Sequence, residues 1–240
     1  MGQSLVYVPE CHSTNSEALK LFLDNAQVAE GTVIITDNQT VGRGQRGNTW
    51  ESEAEKNLTF SIILKPTFLH PKDQFKLNMA VSLGLYDYLT SQVKDVKIKW
   101  PNDMMLDDKK TCGMLIENQI SGQLIQSSIV GIGLNVNQQS FSLPTPTSLA
   151  IKKRHEFVLN EVLAELLQCI EGRYLQLRAH IDLKQEYVAA LYGVGEKRNF
   201  KSSDEIFEGV ITGIDSVGLL ELEIGGKKRY FDLKQITLLG

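Results

Sequence analysis

Along the chain, apolar residues recur at helical spacing in some stretches and alternate or run together in others, and the switches mark out the elements. In S13-TNSEALKLFLDNAQ-27, Ala18, Leu19, Phe22 and Leu23 make one apolar face, and Thr14 and Glu17 have capping-box spacing. A helix is expected there, with Ser13, Thr14 and Asn15 at its mouth. GTVIITDN, from Gly31, reads as a buried strand running into a glycine-rich loop, and NLTFSIILK, from Asn57, as a second strand ending at Pro66. The dense apolar pattern from about Lys72 to Gln92 predicts a long buried helix. VKIKW, from Val96, is a strand entering Pro101. MML, DDKK and TCGMLIE then form a hairpin bent at Asp107 and Asp108. LIQSSIVGIGLNVN, from Leu124, is a further strand with Gly131 and Gly133 near its end.

PTPTSLA, from Pro144, reads as a loop, followed by an amphipathic helix over about Glu156 to Leu177 and a shorter one over about Lys184 to Leu191. From about residue 196 to 239 the helical signal is lost. Short alternating strands broken at Asp215 to Gly218 and at Gly225-Gly226 predict a small all-β barrel or sandwich.

Composition narrows the class. The 240 residues are 42% hydrophobic and 22% charged, as in an ordinary globular protein, and the net charge of -4 argues against a dedicated nucleic-acid binder. No apolar run reaches the ~20 residues that span a bilayer. The start of the chain lacks a secretory pattern. The three cysteines have no CxxC spacing, which fits a reducing compartment, so a cytoplasmic location is expected. The four histidines form no ligand pair at helical spacing, so no protein-ligated metal site is expected.

Three stretches carry candidate chemistry. In T40-VGRGQRGNTW-50 the glycines can turn backbone N–H groups toward an anion, and Arg43 and Arg46 can add charge-assisted contacts. It is neither a Walker loop nor a dinucleotide fingerprint. On its own it reads as well as a basic surface loop, and Trp50 reads either as a ring covering an apolar ligand or as a core anchor. In K99-WPND-103, Pro101 fixes the chain so that Asn102 and Asp103 are held rigidly, although the same residues are common in turns. Lys110 lies seven residues after Asp103, beside small Gly113, where it can point inward or be solvated. In G131-IGLNVN-137 the two glycines suggest close approach of a ligand or another backbone. Cys112 reads as a small core residue, and no GxSxG signature is present.

Taken in order, S13-TN-15, Q39-TVGRGQRGNTW-50, K99-WPNDMML-106, K110-TCGMLIE-117 and G131-IGLNVN-137 resemble the biotin protein ligases. The resemblance covers about residues 6 to 140 and continues more weakly into the C-terminal β module. It implies an α+β fold: a mixed-sheet catalytic domain flanked by helices over residues 1–192 and a small SH3-like all-β domain over 193–240. It also implies a two-step reaction. Biotin and ATP, with Mg2+, give biotinyl-5′-AMP, and the biotinyl group then passes to a lysine of a biotin carboxyl carrier domain, such as that of acetyl-CoA carboxylase.

By position, the resemblance implies that Ser13, Thr14, Asn15, Gln39, Gly44, Gln45 and Gly113 bind biotin. Arg43 and Lys110 serve both biotin and catalysis, and Asp103 orients the incoming amine or takes its proton. Arg46, Trp50, Asn102 and Asn135 serve the nucleotide, and the loop around Arg43 closes over the adenylate. Many relatives have arginine where this chain has Gln45, so this loop is expected to hold its intermediate less tightly. Ser13 lies near the start of the chain, so a form without an N-terminal DNA-binding domain, without nucleic-acid or membrane partners, and monomeric or homodimeric, is expected.

Overall fold

The computed structural model describes every residue except Ala26, Arg43, Gln45 to Thr49, Asp204, Lys234 and Gly240. Its elements in chain order are β1 (Leu5–Cys11), α1 (Thr14–Asp24), β2 (Thr32–Gln39), β3 (Leu58–Leu64), α2 (Gln74–Gln92), β4 (Val96–Lys99), β5 (Asp103–Leu106), β6 (Lys109–Ser121) and β7 (Leu124–Leu134). Then come α3 (Leu149–Lys153), α4 (Leu159–Arg178), α5 (Lys184–Ala189), and β8 (Lys197–Ser202), β9 (Glu205–Ile214), β10 (Leu220–Ile224), β11 (Lys227–Phe231) and β12 (Thr237–Leu238).

The first seven strands form one mixed sheet in the order β1-β2-β3-β7-β6-β5-β4, parallel between β1 and β2 and antiparallel elsewhere. The last five form a separate antiparallel sheet, β11-β10-β9-β8-β12. The α+β architecture with an all-β tail therefore stands as expected.

Side chains alternate across a strand, so each strand of the large sheet serves two faces. On one face Phe60, Ile62, Val130, Ile132, Cys112 and Met104 pack into the main core under α2 and α4. Helix α2 buries residues all round, including Leu77, Val81, Leu85 and Tyr88, because it is sandwiched between the sheet and α4. Helix α4 instead shows a single stripe, Val162, Leu163, Leu166, Leu167, Ile170 and Tyr174. On the other face a smaller cluster of Ala18, Phe22, Ile34, Ile63 and Ile129 seats α1 over β2, β3 and β7. The remainder of that face carries the cavity described below.

The β5–β6 hairpin turns where expected. Asp107 and Asp108 both have positive φ (48° and 62°), the requirement of a two-residue hairpin turn whose twist matches the strands. Elsewhere the boundaries move. Ser13, with extended backbone, is the N-cap of α1, and Thr14 is the first helical residue, so the capping-box spacing does not mark the cap. Leu23 is exposed, because α1 buries only the side bearing Ala18 and Phe22. Helix α4 starts at Leu159, and the short α3 occupies the end of the stretch read as a loop. Strand β1 was not expected. It is a sheet edge with most of its residues exposed, so it lacks the buried run or clean alternation that marks a strand. Among the described residues no helix is long and apolar enough to cross a membrane.

Candidate active site

The antiparallel ladders align the residues Thr36, Thr59, Gly133, Gly113, Asp103 and Lys99 in one row across β2, β3, β7, β6, β5 and β4. Directly paired residues project to the same side, so this row is the floor of one face. The next row along is Ile34, Ser61, Gly131 and Leu115. Over this floor lies a cavity of about 310 Å³, lined among others by Ser13, Thr14, Asn15, Gln39, Trp50, Asn102, Asp103, Lys110 and Gly113. That volume is at the small end of the range for ligand sites.

One end of the cavity is neutral and hydrogen-bonding. Gln39 Oε1 accepts from Thr14 N (2.9 Å) and lies 3.5 Å from Thr14 Oγ1. Ser61 Oγ, fully buried, is 2.7 Å from both Thr14 Oγ1 and Asn15 Oδ1. Having one proton, it donates to one of them and accepts only from the threonine. Asn15 Nδ2 donates to Glu117 Oε2 (2.7 Å) and to the carbonyl of Leu115 (3.3 Å). The Asn15 amide is thereby fixed, whereas Gln39 Nε2 has no partner among the described residues.

The other end is charged. Lys110 Nζ sits 2.7 Å from Asp103 Oδ1 and 5.6 Å from the centroid of the Trp50 ring. A Cβ on Gly113 would lie 3.2 Å from Lys110 Nζ and 3.3 Å from Asp103 Oδ1, so glycine there makes room for the ion pair. Between the two ends the floor is bare. A Cβ on Gly131 would come within 2.2 Å of Asn15 Oδ1, and one on Gly133 within 2.4 Å of the Trp50 ring. The expected close approach at these glycines is therefore made by two of the candidate site residues themselves.

The KWPN turn is held from three directions. Asn102 donates its side-chain amide to the Met114 carbonyl, and Met114 N donates back to Asn102 O at 3.2 Å. The buried Tyr187 hydroxyl, on α5, donates to Pro101 O at 3.0 Å. The Trp100 indole N–H donates to the carbonyl of Gly218 at 3.0 Å, in the β9–β10 turn of the small sheet. Asp215 builds that turn, its carboxylate accepting from Val217 N (2.9 Å) and Leu219 N (2.8 Å).

The structure thus brings Ser13, Thr14, Asn15, Gln39, Gly44, Trp50, Asn102, Asp103, Lys110 and Gly113 to one cavity. Asn135 is not among its lining residues. It is buried, its side-chain amide donating to Thr147 O (3.0 Å), while its buried Oδ1 has no partner among the described residues. Arg43, Gln45 and Arg46, and so the expected closing loop, lie outside the described residues. The base of that loop is tied by Trp50 N donating to Gly42 O at 3.0 Å. Cys112 is fully buried, and burial pushes its thiol well above the ordinary range, so it is a core residue and not a thiolate nucleophile.

Sequence reading passed over Ser61 and Glu117. The signal for Ser61 was present as a hydroxyl residue in the apolar run LTFSIIL, two positions from Thr59 and so on the same face. Glu117 lies four residues beyond Gly113 on the same face of β6, a charge at the end of an apolar strand.

Known proteins similar to this chain identify its family. The sequence profile of the Biotin/lipoate A/B protein ligase family matches residues 8–135. Over 96% of this chain and 73% of its own length, the bifunctional ligase/repressor BirA of Bacillus spizizenii is 34% identical. The biotin–[acetyl-CoA-carboxylase] ligase of Mycobacterium tuberculosis is 27% identical over 94% of this chain and 85% of its own. Among solved structures, a biotin protein ligase from Aquifex aeolicus in complex with biotin and ATP superposes with a TM-score of 0.81, covering 99% of both chains at 24% identity, which establishes a shared fold. The chain belongs to the biotin/lipoate A/B protein ligase family.

Proposed function

We infer that this chain is an ATP-dependent biotin protein ligase, which activates biotin as biotinyl-5′-AMP and transfers it to a lysine of a biotin carboxyl carrier protein. The observation that carries the reading is the two-ended cavity. A neutral hydrogen-bonding end and a Lys110–Asp103 end are separated by a floor of glycines. Such a site suits a ligand with an uncharged polar head, an aliphatic chain and a carboxylate tail. In crossing from β3 to β5 it spans three strand spacings, roughly 14 Å.

The ring head of biotin lies among Ser13, Thr14, Asn15 and Gln39, with Gln39 Nε2 donating to its carbonyl oxygen. Its chain crosses Gly131, Gly133 and Gly113, and its carboxylate meets Lys110. A carboxylate and a polyphosphate repel each other, so the catalytic demand is for placed positive charge, and no covalent enzyme group is required. Lys110, Arg43 and Arg46 supply that charge, Trp50 and Asn102 border the nucleotide, and Asn135, which does not line the cavity, serves it from outside. Gly44 and Gln45 belong to the covering loop.

In the second step Asp103, freed from Lys110 once the acyl phosphate draws the ammonium away, orients the carrier amine and takes its proton. Mg2+ enters with ATP, carried on its phosphates. In this reading residues 1–192 are the catalytic unit and 193–240 support the KWPN turn. The enzyme works in the cytoplasm as a monomer or homodimer, and nucleic acid is not a partner, in keeping with the net charge of -4.

The test is a biotinylation assay with a purified carrier domain, biotin, ATP and Mg2+. The expected result is a mass increase of one biotinyl group that requires all three small components. Modification with lipoate in place of biotin would contradict the assignment.

A further inference from the structure

Lys99 ends β4 and pairs with Asp103 in the β4–β5 ladder, so it continues the floor row and lines the same cavity. Asp103 is engaged with Lys110. The Lys99 side chain has no hydrogen bond or ion pair with any described residue, although the residue is half-buried. An ammonium with no counter-ion on a cavity wall is a ready partner for an anionic ligand. Its side chain makes no bond to a described residue, so its place on the cavity wall points to a ligand.

Position identifies which part of the ligand. The row runs from Thr59 beside the neutral end, across Gly133 and Gly113, past Asp103 to Lys99. Lys99 therefore lies two strands beyond β6, roughly 10 Å, on the side away from the hydrogen-bonding end. In the activation step a carboxylate oxygen bonds to the α-phosphorus while the bond from that phosphorus to the bridging oxygen of the β-phosphate breaks. The bonding pair leaves with pyrophosphate, and no proton moves. Entering and leaving oxygens lie roughly in line. With the carboxylate entering from the head side at Lys110, the leaving group departs toward the far end of the row.

We propose that Lys99 is a catalytic residue of the activation step that receives the β- and γ-phosphates of ATP and stabilises the departing pyrophosphate. The proposal rests on the biotin ligase reading. The two lysines of the site then have separate roles. Lys110 holds the acyl end, which persists through both steps, and Lys99 serves a group present only in the first.

The experiment separates the half-reactions in the full chain. Lys99→Met is expected to slow biotin-dependent exchange of labelled pyrophosphate into ATP by about tenfold or more. It should also weaken inhibition by added pyrophosphate. Biotin affinity without ATP, and transfer from supplied biotinyl-5′-AMP to the carrier domain, should stay within about two-fold of wild type. Lys99→Arg, which keeps the charge, should recover most of the exchange. Exchange by Lys99→Met at the wild-type rate would overturn the proposal, as would equal loss in both half-reactions or loss confined to transfer. So would a Lys99→Arg variant as slow as Lys99→Met. Wild-type protein that shows no biotin-dependent exchange would instead overturn the ligase reading itself.

Discussion

On β3, Leu58, Phe60, Ile62 and Leu64 point into the core beneath α2 and α4, while Thr59 and Ser61, one residue away on the same strand, belong to the face that carries the cavity. The contrast repeats on β7, where Val130 and Ile132 alternate with Gly131 and Gly133, and on β6, where Cys112 and Met114 alternate with Gly113 and Leu115. One face excludes everything and gains stability from burial. The other, beyond the apolar seat of α1, is left bare or polar so that Asn15, Trp50 and Lys110 can lie against it. Period-two geometry allows both on the same strands. Substitutions one residue apart should therefore separate stability from activity.

The largest effect is expected on the core face. Phe60→Ala removes a fully buried ring and should cost about 3–5 kcal/mol of stability by denaturant titration, with activity per folded molecule preserved well below its melting temperature. Lys110→Met tests the other face. It should lower biotinyl-AMP formation by roughly two powers of ten, about 2.7 kcal/mol, while the melting temperature stays within about 2 °C, because an ion pair this exposed contributes little to folding. A large fall in melting temperature for Lys110→Met, or lost turnover in still-folded Phe60→Ala, would break the contrast.

A smaller effect is expected where the small sheet meets the site. Trp100→Phe removes the indole donor to Gly218 O while keeping an aromatic ring. The loss should be about 1 kcal/mol of stability, with a few-fold lower kcat and an unchanged KM for biotin, since the turn bearing Asp103 is loosened and the head-group end is untouched. A rise in the biotin KM with kcat intact would argue that the contact does not position Asp103.

The smallest lies far from the site. Glu30 accepts from the Tyr174 hydroxyl (2.6 Å), from Lys65 N (2.8 Å) and from Arg178. Burial pushes its carboxyl pKa up, but these donors outweigh burial and hold it below the ordinary value. A depressed folded pKa stabilises above the unfolded pKa and is lost as pH falls through the folded one. Glu30→Gln should therefore lower the melting temperature by about 2–4 °C at pH 7, with the gap from wild type closing below about pH 4.5. A gap that widens in acid would reverse the sign of this account.

Much of the site was legible because it is local. The Asp107–Asp108 bend, the strands around KWPND and the position of Lys110 beside Gly113 follow from turn chemistry and alternation over a few residues. The spare glycines at 131 and 133 signalled close approach, but sequence could not say what approaches, since Asn15 and Trp50 arrive from distant parts of the chain. Ser61 and Glu117 escaped for the same reason: each matters through contacts with the start of α1, Ser61 with Thr14 and Asn15 and Glu117 with Asn15, set by the packing of α1 on the sheet. Strand β1 escaped because an exposed edge has no buried face to impose a pattern. The support of the KWPN turn by Gly218 depends on how two sheets meet, which no local pattern records.

The central claim is that this cavity makes and holds an acyl adenylate. The direct measurement is to mix the protein with biotin, ATP and Mg2+ but no carrier, and to quantify bound biotinyl-5′-AMP by mass spectrometry. The account predicts close to one adenylate per wild-type chain and a large loss in Lys110→Met. Bound biotin and ATP that remain unreacted in the wild-type protein would contradict it.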